Sequence, residues 1–236
     1  MNDHDKMKSA VRQFDCGFNA KRMRWWILLL VVCLASSTVL AGVGISAKVG
    51  TLGWGADLTV GIIDQLNVRV GYNAYSDDAD YDDDDDNSYL AEFSLQTIPV
   101  MLDWHPFSGN FRISAGVVLN DNEVTASVTP GEEFEFNGVD YEVEDLFGAL
   151  TFDDMATYVG IGFGNAANSG GRFNLTLDVG AMYHGTPELT ATATASNAAL
   201  QTELNNNLAI EVADANEDIE SFKWYPVVSI GLSFRF

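Results

Sequence analysis

The sequence predicts an all-β fold: an eight-stranded antiparallel up-and-down transmembrane β-barrel with long acidic external loops and one short helix in the last loop. Three observations carry this expectation. The C-terminal segment alternates almost without error, with Phe222, Trp224, Pro226, Val228, Ile230, Leu232, Phe234 and Phe236 on one side and Lys223, Tyr225, Val227, Ser229, Gly231, Ser233 and Arg235 on the other. A period of two sends these sets to opposite faces of a strand. An aromatic, apolar face backed by a small or charged one suits lipid outside and a polar lumen inside. Seven further segments share the period, each near the roughly 9–11 residues that a tilted spanning strand needs. The connections alternate short and long, as in barrels with tight turns on one side of a membrane and loops on the other.

Taken in order, residues 43–50 form the first strand, with Val43, Ile45, Ala47 and Val49 outward. Residues 53–62 form the second, with Trp54, Ala56, Leu58, Val60 and Ile62 outward, and residues 66–75 the third, with Leu66, Val68, Val70 and Tyr72 outward. The fourth, residues 90–103, is the noisiest, because Pro99 interrupts it. Residues 111–120, 155–164 and 173–184 supply the fifth, sixth and seventh, and the C-terminal segment is the eighth. Residues 63–65, 105–110 and 165–172 are the short turns; residues 76–89, 121–154 and 185–221 are the long loops. The exception is the tight first hairpin near Thr51, which an even strand count with both termini on the periplasmic side requires. Within the second loop, Asn137-Gly138 between two alternating runs reads as a small hairpin. In the last loop Leu200, Leu204, Leu208 and Val212 recur every fourth residue after Ser196, which predicts a helix over residues 197–215 packed on the barrel rim or a neighbour.

Residues 1–41 read as a secretory signal and residues 42–236 as the barrel domain. Lys21, Arg22 and Arg24 precede an apolar run over residues 25–35, a polar Ser36-Ser37-Thr38 break and Val39-Leu40-Ala41. An uncleaved helical anchor over residues 25–45 is the competing reading, and the polar break falls where its core would lie. Cleavage removes both cysteines, Cys16 and Cys33, so no disulfide framework is expected. It leaves six Lys and Arg against 31 Asp and Glu, a net charge of −25. That balance argues against nucleic acid as a partner. No apolar run long enough for a helical span follows, so any crossing of a membrane must be made by a closed barrel.

Parity places Lys48, Asp57, Arg69, Glu92, Arg112, Asp178, Lys223 and Arg235 on the inward face. An eight-stranded barrel is just wide enough for side chains to fill, and charges inside it must be paired or hydrated. Two readings follow: a plug of ion pairs, with Lys48 joined to Asp57 across the first hairpin, or a gated narrow conduit. Asp77, Asp78, Asp80, Asp82, Asp83, Asp84, Asp85 and Asp86 form a candidate cation-binding loop. The run lacks the spaced ligands, turn glycine and closing glutamate of a calcium hand, so a solvated tip with loosely associated divalent cations is expected, and no other cofactor. His105 and His184 are the two histidines after residue 41, and no nucleophile and acid are placed beside either, so no enzyme is expected. His105 reads as a satisfied interfacial residue. Gly160, Gly162 and Gly164 share one face and make room for lumen side chains, while Trp54, Trp104, Tyr158 and Trp224 are assigned to interfacial girdles.

Several stretches carry a resemblance: Gly50-Thr51-Leu52-Gly53, residues 66–73, Leu102-Asp103-Trp104-His105-Pro106-Phe107, residues 158–165 and Tyr225-Pro226 through Phe236. In these the chain resembles small bacterial outer-membrane β-barrels of the outer membrane protein A type, and more narrowly a proteobacterial subgroup of them. The resemblance covers residues 42–236. It implies a Gram-negative outer-membrane location, with Phe236, Phe234 and Leu232 as the signal read by the barrel-assembly machinery. Outer-membrane lipid and lipopolysaccharide are the expected surroundings of a monomer. The expected role is structural or surface-interactive, with acidic loops displayed on a salt-bridged closed barrel. The alternatives are a narrow channel for small solutes or ions and an outer-membrane lipid-modifying enzyme.

Overall fold

Alternating segments become a closed wall. The computed structural model describes residues 42–82, 88–128, 131–168 and 171–236. The expected signal over residues 1–41 lies outside these residues, as do Asp83, Asp84, Asp85 and Asp86. In chain order the elements are β1 (Gly42–Gly50), β2 (Gly53–Ile63), β3 (Leu66–Asp82), β4 (Ser88–Trp104), β5 (Phe111–Asn120), β6 (Glu123–Val128), β7 (Glu132–Phe136), β8 (Val139–Thr151), β9 (Met155–Phe163), β10 (Phe173–Tyr183), β11 (Glu188–Ala195), α1 (Gln201–Ile219) and β12 (Trp224–Arg235). Eight strands pair antiparallel in the ring β1–β2–β3–β4–β5–β9–β10–β12 and back to β1. Closure leaves no ladder edge to face hydrocarbon.

The two faces of the ring differ as parity requires. Ile45, Leu102, Ile161, Leu175, Ile230 and Leu232 are exposed on the outside. Together with their neighbours they make a continuous apolar belt that would be a large patch in water and is the lipid-facing surface in a bilayer. Trp104, Phe107 and Phe173 ring one end, and Trp54 and Trp224 the other. Tyr158 departs from the expected girdle: it is 6% exposed and points inward. It shares the face of Gly160 and Gly162, with Val159 outward, so its own strand's alternation already opposed the girdle assignment. A Cβ on Gly160 or Gly180 would collide with the Tyr158 hydroxyl, so these glycines make the ring's seat. Pro99 does not end β4; it faces inward beside Gly71, and the ladder to β3 skips only the Gly71–Tyr72 step.

Beyond one rim the expected loops are largely strand. β3 and β4 run 17 residues each and continue past the ring. β4 changes partner there, from β5 at Thr97↔Asn120 to β6 at Ser94↔Glu123. A second sheet follows in the order β3–β4–β6–β8–β11, with β7 folded onto β8. The β7–β8 turn is Asn137-Gly138, both at positive φ, as a two-residue hairpin of matching twist demands. Asp77, Asp78, Asp80 and Asp82 are therefore ladder residues of β3, opposite Phe93, Glu92, Leu90 and Ser88. Pairing with a neighbouring strand outweighs the low strand preference of aspartate.

The helix starts four residues later than expected. Ser196 N–H is taken by Glu142 O, and Asn197 instead turns the chain, accepting from Ala199 N at its side chain and from Leu200 N at its carbonyl. Leu200 is the N-cap, already helical and without a side-chain cap. Leu204 and Leu208 are buried against Phe136, Tyr141, Val143 and Ala195. The helix thus packs on the second sheet, not on the barrel rim.

Candidate functional site

Midway through the barrel, six ionisable side chains from six wall strands meet. Lys48 (β1) lies with Nζ 2.8 Å from Asp57 Oδ1 (β2). Arg69 (β3) reaches the other Asp57 oxygen at 3.5 Å and holds Asp103 (β4) with two bonds, Nε to Oδ2 at 2.8 Å and Nη2 to Oδ1 at 3.0 Å. It also donates to Asp178 (β10) at 3.3 and 3.4 Å. Arg112 (β5) gives Nη2 to both Asp178 oxygens at 2.8 Å and Nη1 to the Gly164 carbonyl. Ser114 donates to Asp103 at 2.6 Å. Three cations face three anions, all buried or nearly so. Each buried ion has an opposite charge beside it, which offsets the cost of its burial, although Arg112 Nε has no hydrogen-bond partner. A Cβ on Gly162 would crowd Arg112 and Asp178, so this glycine is the space the lattice needs.

Packed side chains lie on both sides of the lattice. On the external side Met101, Val118, Ala156, Tyr158, Met182 and Val227 form an apolar layer, and Leu52 from the β1–β2 turn packs onto it. That turn is tied to the adjacent strand β12, extending the β1–β12 ladder: Thr51 N donates to Val228 O at 2.9 Å, Thr51 Oγ1 to Pro226 O at 3.0 Å, and Tyr225 Oη to Thr51 O at 2.7 Å. On the other side the β9–β10 turn folds into the barrel, burying Asn165, Ala166 and Ala167. A Cβ on Gly42 or Gly44 would strike the carbonyls of Ala167 and Ala166, so the first strand is bare where the turn enters. His105 is wholly buried in this floor rather than interfacial. Its Nδ1 donates to Gly109 O at 2.9 Å, leaving Nε2 to accept from Asn67 Nδ2 at 3.1 Å. Asn67 Nδ2 also donates to Asn165 Oδ1 at 3.1 Å. Burial pushes the His105 imidazole below its usual range, so the neutral form fits this network. Two small cavities adjoin the lattice, one of about 30 Å³ above Arg69 and one of about 10 Å³ below it.

Of the eight inward charges expected, Lys48, Asp57, Arg69, Arg112 and Asp178 come together, and three do not. Glu92 lies on β4 above the ring, opposite Thr125 of β6. Lys223 precedes β12 at the external rim, and Arg235 ends β12 at the opposite rim. Inward parity alone does not say how deep a residue sits. Asp103 belongs to the lattice and the sequence reading missed it, although Leu102 and Trp104 on either side are outward, which fixes its direction. Asp77, Asp78, Asp80 and Asp82 are spread along a strand, and no group of three or more His, Cys, Asp or Glu among the described residues is arranged to hold a metal ion.

No protein-family model and no curated protein matches the chain. Solved structures do. A crystal structure of Acinetobacter baumannii CarO2 aligns with a TM-score of 0.55 and 22% identity, covering 84% of this chain and 99% of that one. One of Acinetobacter baumannii CarO aligns with a TM-score of 0.51 and 24% identity, over 83% and 98%. A major outer membrane protein from Thermus thermophilus aligns more loosely, with a TM-score of 0.43 and 15% identity, over 83% and 98%. The fold is that of a small outer-membrane β-barrel.

Proposed function

We propose that the barrel is a closed outer-membrane anchor and that its work is done at the cell surface by the anionic sheet it raises. The observation that carries this reading is the filled lumen. A cavity needs about 10–15 Å³ to hold one water, so spaces of about 30 and 10 Å³ admit a water or two and no solute. Charge distribution supports the second half. After residue 41 all six Lys and Arg belong to the barrel, its turns or its rims, whereas residues 76–96, 121–154 and 185–221 hold 27 of the 31 acids and no Lys or Arg. Such a surface gathers cations and repels anions over a range of about 8 Å at physiological salt. Divalent cations would associate with it loosely and could bridge it to the anionic headgroups of lipopolysaccharide. Assembly as a monomer by the barrel-assembly machinery fits a ring that closes within one chain.

The test is swelling of vesicles containing the purified protein in isotonic solutions of small sugars, amino acids and salts. Rates equal to those of protein-free vesicles are expected. Solute-dependent swelling would overturn the closed-anchor reading in favour of a conduit.

A further inference from the structure

Between α1 and the face of β6, β8 and β11 runs an apolar groove of about 290 Å³. Its floor is a row of small residues set side by side by strand register, Ala126↔Gly148 and Gly148↔Ala191. Phe134, Leu208 and Val212 are among its walls, and Glu211 is its one charged lining residue. Gly148 is the informative member. It lies inside a 13-residue strand, and a Cβ there would meet nothing nearer than Thr190 O at 3.8 Å. Neither crowding nor a left-handed backbone calls for glycine at this position. A glycine inside a strand weakens it and often marks a place where a ligand approaches closely.

We propose that this groove binds a small cationic amphiphile, its apolar part on the Ala126–Gly148–Ala191 floor and its amine beside Glu211. The inference rests on the reading that the external sheet is the working part of the molecule. Charge selects the ligand class: the groove opens within a surface that holds no Lys or Arg, so an anionic amphiphile would meet only repulsion. Glu211 is exposed and accepts from Asn137 N at 3.4 Å through one oxygen, which leaves the other for an ammonium group. Size sets the scale. The groove is at the small end of ligand pockets, about 300–1,000 Å³, and an apolar cavity of about 150 Å³ already takes a benzene ring. One short alkyl chain or one ring fits.

Calorimetric titration of the full-length protein in lipid nanodiscs with octyltrimethylammonium, referenced to empty nanodiscs, tests this. A saturable one-to-one isotherm is expected, weakening as salt is added. Gly148→Leu, which has room for its side chain, fills the floor and should weaken binding by about tenfold or more. Ala126→Leu fills it from the neighbouring strand, so the test survives if either variant fails to fold. Glu211→Gln, on the exposed helix face, should cost up to about fivefold. Octanoate or octyl glucoside binding as tightly as the cation would overturn the proposal. So would tetramethylammonium matching the octyl compound, or a folded floor variant with unchanged affinity. Swelling of vesicles that carry the same purified protein separates the two readings: swelling with intact binding sinks only the closed anchor, and no swelling with no binding sinks only the groove.

Discussion

Replacing Arg69 by methionine removes the one cation that touches all three lumen carboxylates. Lys48 and Arg112 then face Asp57, Asp103 and Asp178, so one buried negative charge is left without a partner. Asp103 suffers most, keeping Ser114 at 2.6 Å and Arg112 Nε at 3.9 Å in place of two bonds from Arg69. Breaking a buried pair from one side costs about 3–5 kcal/mol, whereas replacing both partners by apolar groups of similar volume is close to neutral. Arg69→Met should therefore destabilise the barrel by about 3–5 kcal/mol, and adding Asp103→Leu should recover about 2 kcal/mol or more by restoring two cations to two anions. Equilibrium urea unfolding in detergent, read by tryptophan fluorescence and by heat-modifiable migration, gives both values. A single variant within about 1 kcal/mol of the parent would refute the lattice as a structural unit. A double variant no more stable than the single would refute the charge-balance argument.

Other expectations follow from the same geometry. Ile230→Arg, on the lipid-facing belt, should cost about 2–4 kcal/mol in urea unfolding if the belt lies at mid-membrane depth; a loss below about 1 kcal/mol would contradict that placement. Burial lowers the His105 and His184 pKa values, so folding favours their neutral forms. Their contribution is intact above the unfolded value near 6.5 and is lost as pH falls from there through the folded values. Stability measured across pH 7 to 5 should decline, and His105→Gln should flatten the slope. Gly138→Val places a β-branched residue at φ 78°, which costs about 1–3 kcal/mol; limited proteolysis should then cut the β7–β8 hairpin while the ring keeps its heat-modifiable shift.

The ring was legible because each strand had two unlike faces, and β12 and β10 repeat that contrast for their full length. The lattice was legible as a set of inward charges but not as a set of partners. Glu92 and Arg235 obey the same parity as Arg69 and lie at other heights, since a period of two encodes direction and says nothing of depth. Asp103 was missed because β4 carries Pro99, whose disruption of the alternation hides a clear outward–inward–outward run at Leu102, Asp103 and Trp104. The external sheet was hidden for a different reason. Residues 77–82 are mostly aspartate, which local preference assigns to a tip, and only pairing with β4 makes them strand. The β9–β10 turn as a plug had a faint signal in Gly42 and Gly44, two glycines on one face at the start of β1, opposite the β-branched Val43 and Ile45.

Planar-bilayer recording of the purified protein tests the sealed lumen most directly. The lattice, the apolar layer above it and the buried turn below it predict a flat current at moderate voltage after insertion is verified by protease protection. Discrete, reproducible conductance steps from the unmodified protein would contradict the seal.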